Sequence, residues 1–161
     1  MKPGFFALQV KQRFSYLFDQ YGFSVIHEEY HGQNGCNAIV VLESPDCRIR
    51  VLLEREQVLV DIGPLSAPVD WSTPAPNDWF GLTYVTGFLS NGTDQWEYVI
   101  PDTALDRSLR IDQQLVSLAE KVRPCCDLIV HIFRSEAYEQ TQRELIDYQE
   151  RQIQTWLRRY R

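Results

Sequence analysis

The sequence has no internal repeat, no low-complexity segment, no glycine-rich phosphate loop and no apolar run long enough to span a membrane. Solenoids, disordered tails, nucleotide-binding βα units and membrane-spanning helices are therefore not expected. An excess of positive charge is also missing. Lys and Arg number 16 against 22 Asp and Glu, a formal net charge of −6. Nucleic acid is accordingly not the expected partner, because phosphate binding relies on a basic footprint. The opening Met1-Lys2-Pro3-Gly4-Phe5-Phe6 has one basic residue but neither a sustained apolar core nor a small-residue cleavage site, so it does not read as a signal peptide. The four cysteines, Cys36, Cys47, Cys125 and Cys126, contain no CxxC spacing and no zinc-ligand pattern. Reduced thiols, a cytoplasmic location and no metal or cofactor are the expectation.

What is present is an ordinary globular balance, 44% hydrophobic and 24% charged. The 161 residues fit a single α+β domain over 1–161, and a chain of this size buries roughly 68–70% of its unfolded surface. From Phe23 to Gly63 apolar and polar residues alternate through three reversals, the pattern of a four-stranded antiparallel β-meander. Its register can be read from two turns independently. If Ser44-Pro45-Asp46-Cys47 turns so that Glu43 faces Arg48, then Leu42 faces Ile49, Val40 faces Val51 and Ala38 faces Leu53. A reversal at Arg55-Glu56 sets Leu53 against Val58, Val51 against Val60 and Ile49 against Ile62. Both turns place the same apolar residues on one face. On the other face they pair Glu43 with Arg48 and Arg50 with Asp61, opposite charges each time. The first strand, about Phe23 to Tyr30, is less regular, since the adjacent Val25 and Ile26 are both apolar.

Helices flank the meander. Phe6, Val10, Phe14, Leu17, Phe18 and Tyr21 recur at helical spacing and predict one helix ended by Gly22. Prolines 64, 68, 74 and 76 then make a stiff strap containing Trp71, read as closing the edge of the core. Asn77 or Asp78 is expected to cap a helix through about Leu89, with Trp79, Leu82, Val85 and Leu89 on one side. Thr103-Ala104-Leu105-Asp106 resembles a capping box for a helix that Pro124 interrupts. Leu128 to Phe133 could form a strand, but its setting between helices favours a short buried helix. A last helix, about Glu136 to Tyr160, carries Ile146, Ile153, Trp156, Leu157 and Tyr160 on one stripe. The pairs Glu139/Arg143 and Asp147/Arg151 lie on its solvated side. Its basic end, Arg158-Arg159-Tyr160-Arg161, suits the C-terminal end of the helix dipole, docking to an acidic partner being the other reading.

Two features bear on function. His27-Glu28-Glu29-Tyr30-His31 satisfies H-E-x-x-H, in which His27 and His31 would bind zinc and Glu28 would activate water in a small zinc-dependent hydrolase. That chemistry requires a helix. Here the segment follows Phe23-Ser24-Val25-Ile26 and precedes Gly32-Gln33-Asn34-Gly35, a strand-and-turn context. Four residues of strand span roughly 13 Å, which argues against a shared metal. Ser66 and Ser72 lack a nucleophile elbow, and His131 reads as a buried, hydrogen-bonded histidine. The second feature is the outer sheet face, where Ile39, Val41, Leu52 and Leu59 lie beside Arg50 and Asp61. Such a strip is either a binding surface for another protein or a layer covered by the C-terminal helices, with cover favoured.

The run of a helix, Tyr-Gly-Phe (Tyr21 to Phe23), a meander ending Val-Asp-Ile-Gly-Pro (Val60 to Pro64), an aromatic-rich helix and a helical tail resembles small bacterial α+β proteins. Some of these look like immunity proteins of contact-dependent or polymorphic toxin systems. The resemblance implies an acidic, cytoplasmic, non-enzymatic binder of another protein. It transfers no functional residues.

Overall fold

The structure, a computed structural model, describes residues 4–32, 37–70, 78–93, 104–134 and 136–159. Alternating hydrophobicity between Ser24 and Gly63 produces four strands: β1 (Ser24–His31), β2 (Asn37–Glu43), β3 (Arg48–Glu54) and β4 (Gln57–Gly63). A two-residue strand, β5 (Phe80–Gly81), makes the antiparallel sheet five-stranded in the order β1-β2-β3-β4-β5, one strand more than the meander predicted. Every cross-strand pair expected from the two turns is present, including Val40 with Val51, Val51 with Val60, and Arg50 with Asp61. The irregular start of β1 is a bulge. Val25 pairs with Leu42 and His27 with Val41, leaving Ile26 as the extra residue, exposed to solvent.

The β3–β4 turn carries two non-glycine residues at positive φ, Arg55 (49°) and Glu56 (78°), as a two-residue type I′ hairpin needs. Its backbone is held from outside. Gln114 Nε2 donates to the Glu56 carbonyl (2.8 Å) while its Oε1 accepts from Val58 N–H (2.9 Å), and Arg110 Nη2 meets the Glu56 carboxylate at 2.7 Å.

Helices cover one sheet face. The single N-terminal helix that the spacing suggested is two, α1 (Phe5–Arg13) and α2 (Ser15–Tyr21), broken at Phe14 (φ −100°, ψ 25°). Gly22 at φ 68° ends α2, with the Gly22 and Phe23 N–H groups both donating to the Leu17 carbonyl. The predicted helix after the strap begins later, as α3 (Leu82–Leu89), because Phe80 first pairs with Ile62 and enters the core. Trp79 is therefore not a helical residue; it lies on the other side of the sheet. Asp106 itself caps α4 (Arg107–Val122), its carboxylate accepting from Leu109 N–H (3.1 Å); Thr103 lies outside the described residues. Pro124 sits in a 3₁₀ turn leading to α5 (Cys126–Phe133), and α6 (Tyr138–Arg159) follows.

One buried cluster joins α1 to α5 and Leu145 of α6 to the inner residues of the sheet, with Phe14, Phe80 and Phe133 its largest members. Polar links fix the packing. Arg13 forms a two-pronged pair with Asp112 (2.8 and 2.6 Å), and the Tyr16 hydroxyl donates to the Ala119 carbonyl (2.9 Å). α6 forms a further layer against α3 and α5.

Candidate functional site

On the outer sheet face, Ile39 and Val41 of β2 and Leu52 of β3 form a second, smaller buried cluster, bordered by half-buried Leu59. Its cover among the described residues is Val69, from the proline-rich segment, and Trp79, just before β5. The strip left open in the sequence as a partner surface or a helix-covered layer is thus covered, and among the described residues by these two side chains rather than by C-terminal helices. Trp71, expected to close the core edge, lies outside the described residues. Trp79 packs on the outer cluster, its indole N–H donating to the Pro68 carbonyl at 3.0 Å. The strap fits closely, since a methyl group at Gly63 would stand 3.0 Å from both Ala67 Cβ and Trp79 Cε3 and collide with the Asp78 carbonyl.

Arg50 lies under the same tryptophan and is paired with Asp61. Arg50 reaches Asp61 Oδ2 through Nη2 (2.7 Å) and Nε (3.2 Å), and its guanidinium carbon sits 4.5 Å from the Trp79 ring centroid. Burial raises the Asp61 carboxyl above its ordinary range, and Arg50 offsets only part of that. All six residues expected in an outer-face site are therefore brought together, but Ile39, Val41 and Leu52 are buried and Arg50 and Asp61 are committed to one another.

The H-E-x-x-H segment is strand β1, which settles the fate of each side chain. Glu28 aligns with Val40 on the helix-covered face, 3.3 Å from Lys11, whereas His27 aligns with Val41 and Glu29 with Ile39 on the outer face. The zinc-hydrolase reading loses its geometry, because its water-activating glutamate points away from both histidines. The two imidazoles nonetheless converge, on Glu29. His27 Nε2 lies 3.2 Å from Oε2, and His31 Nε2 lies against Oε1. Hydrogen bonding from His27 first, then from His31, holds the Glu29 carboxyl below the usual carboxylate range. Among the described residues no group of three or more His, Cys, Asp or Glu could hold a metal ion.

His131 is exposed on α5, not buried as expected. Cys47 and Cys126 are buried thiols pushed up to about 11 and about 12 by desolvation, and Cys125 is half-buried. Burial makes the first two poor nucleophiles.

The open surface is on α6. In its first half Tyr138 stacks on Phe133 (5.5 Å), Leu145 is fully buried, and Tyr148 meets Phe88 edge-on (6.0 Å) and closes over Gly87. Past Gln149 every described residue is exposed. Ile153, Trp156 and Leu157 keep 38%, 58% and 38% of their surface in water. These residues lie on the apolar stripe that their spacing gives the helix. Length explains their exposure. A 22-residue helix runs about 33 Å, whereas α3 and α5, against which it packs, have eight residues each and run about 12 Å, so the end of α6 reaches past them. The charges follow the same division. Residues 138–150 hold Glu139, Glu144, Asp147 and Glu150 against Arg143, net −3, and residues 151–159 hold Arg151, Arg158 and Arg159 without an acid, net +3. Of the acid–base pairs expected along the helix, Arg143 meets Glu139 through the backbone, donating to its carbonyl (3.3 Å) and to Gln140 (3.1 Å).

No family model, curated protein or solved structure matches this chain. No described helix is long and apolar enough to cross a membrane.

Proposed function

We propose that this chain is a non-enzymatic protein-binding domain, of the immunity or regulatory type that its layout resembles, and that its contact element is the outer half of α6. The observation that carries this reading is the exposure of Ile153, Trp156 and Leu157 on one side of a helix end bearing three arginines and no acid. Aliphatic and aromatic anchors at three- and four-residue spacing are how an amphipathic helix enters a groove on another protein. Tryptophan and arginine are also the residue types that most often dominate binding energy. The outer sheet face supports the same choice, since its apolar residues already have a cover within the chain.

The test is co-expression with the protein encoded beside it. A complex that survives gel filtration, and protection of the cell if that neighbour is toxic, are the expected results. Ile153→Ser with Leu157→Ser should abolish both while leaving the fold intact. A complex indifferent to those two substitutions would place the contact elsewhere.

A further inference from the structure

The outer half of α6 also matches something the chain itself supplies. We infer that, before any other partner arrives, this surface is held by a second copy of the chain, with the two α6 helices paired antiparallel. The inference rests on the reading of the α6 end as a contact surface and names its first occupant.

Two observations lead there. The exposed apolar residues continue a line that starts inside the protein: Ile153 follows half-buried Ile146 by seven residues and Leu157 comes four later, so all three lie along one edge of the helix. The charge division then selects the orientation. Antiparallel pairing brings the +3 end of each helix toward the −3 half of the other, twice over by symmetry, whereas parallel pairing sets like against like. The helix dipoles prefer the same arrangement. A copy of the chain is thus a partner of complementary charge and matching apolar edge, already present at equal concentration.

Sedimentation of the whole chain over a range of concentrations tests this. A dimer is expected, weakened by added salt, since its charges lie at a solvated surface. Ile153→Ser with Leu157→Ser should raise the dissociation constant about tenfold or more. Charge reversal gives the sharper answer. Arg158 and Asp147 flank the Ile146–Leu157 edge on the same side; Arg158→Glu alone should weaken the dimer, as should Asp147→Lys alone, while an equimolar mixture of the two should form the mixed dimer. Circular dichroism confirms that each variant is folded, and both charged positions are exposed. A chain monomeric at every concentration, a dimer unmoved by the serine pair, or reversed copies that fail to recombine would each overturn the inference. None of these would touch the broader reading, which falls only if the co-expressed neighbour binds without Ile153 and Leu157.

Discussion

Two apolar strips bordered by charge meet different fates in this protein. Ile39, Val41 and Leu52 on the outer sheet face sit beside Arg50 and Asp61 and are buried. Ile153 and Leu157 on α6 sit near Arg151, Arg158 and Arg159 and are exposed. Composition does not separate them. The difference is whether another segment of the chain returns over the strip: Val69 and Trp79 do so for the sheet, and nothing described does so for the end of α6. Apolar character shows that a surface wants cover, and chain path decides whether the cover is internal.

The comparison can be broken hardest at Val41. It is fully buried on the outer face, and Val41→Asp should place an unpaired charge under the strap at a cost of several kcal/mol, enough to unfold a marginal domain. Val51→Asp should do the same from the helix side. Far-UV circular dichroism reads both, and a folded Val41→Asp protein would mean that the strap is not a real cover.

Within α6 the contrast is between its halves. Leu145 is fully buried, and Leu145→Ala should lower the unfolding free energy by about 2–5 kcal/mol in urea titration. A loss below about 0.5 kcal/mol would show that the first half of the helix is not seated as described.

A smaller effect is expected from Glu29, at the edge of the covered face. Its carboxyl is held below the ordinary range by His27 and His31, so its contribution is present above the normal carboxylate pKa and is lost as pH falls through the depressed value. For a partly exposed pair this amounts to about 1 kcal/mol or less. Glu29→Gln should accordingly flatten the acid side of the stability profile and leave its most acidic end unchanged. Equal destabilisation at all pH values would assign Glu29 a purely packing role.

Much of the sheet was legible in the sequence because two turns had to agree on one register and two faces had to be satisfied together. Arg50–Asp61 and Val51–Val60 follow from that constraint alone. The fifth strand was not legible, since Phe80–Gly81 is too short to alternate and is fixed by pairing with Ile62 and Asp61. Trp79 was misplaced for the same reason, its helical spacing with Leu82 being an accident of the residues before α3. His27 and His31 were expected to stay apart along the strand; they meet through Glu29 because alternate residues share a face and a bridging carboxylate shortens the reach. The spacing put Ile153, Trp156 and Leu157 on one stripe of α6 without showing that they are open, because periodicity reports which side of a helix is apolar and says nothing about whether the body extends far enough to meet it. The excess of α6's length over the short helices it packs on was the signal that could have shown it.

The central claim is that the apolar stripe of α6 leaves the protein core after Gln149. Urea denaturation of the Ile153→Asp, Leu157→Asp double variant, at a dilution where the wild-type chain is monomeric, tests this directly. The account predicts an unfolding free energy within about 0.5 kcal/mol of wild type, as for exposed positions. A loss of about 2 kcal/mol or more would place these residues in the core and contradict it.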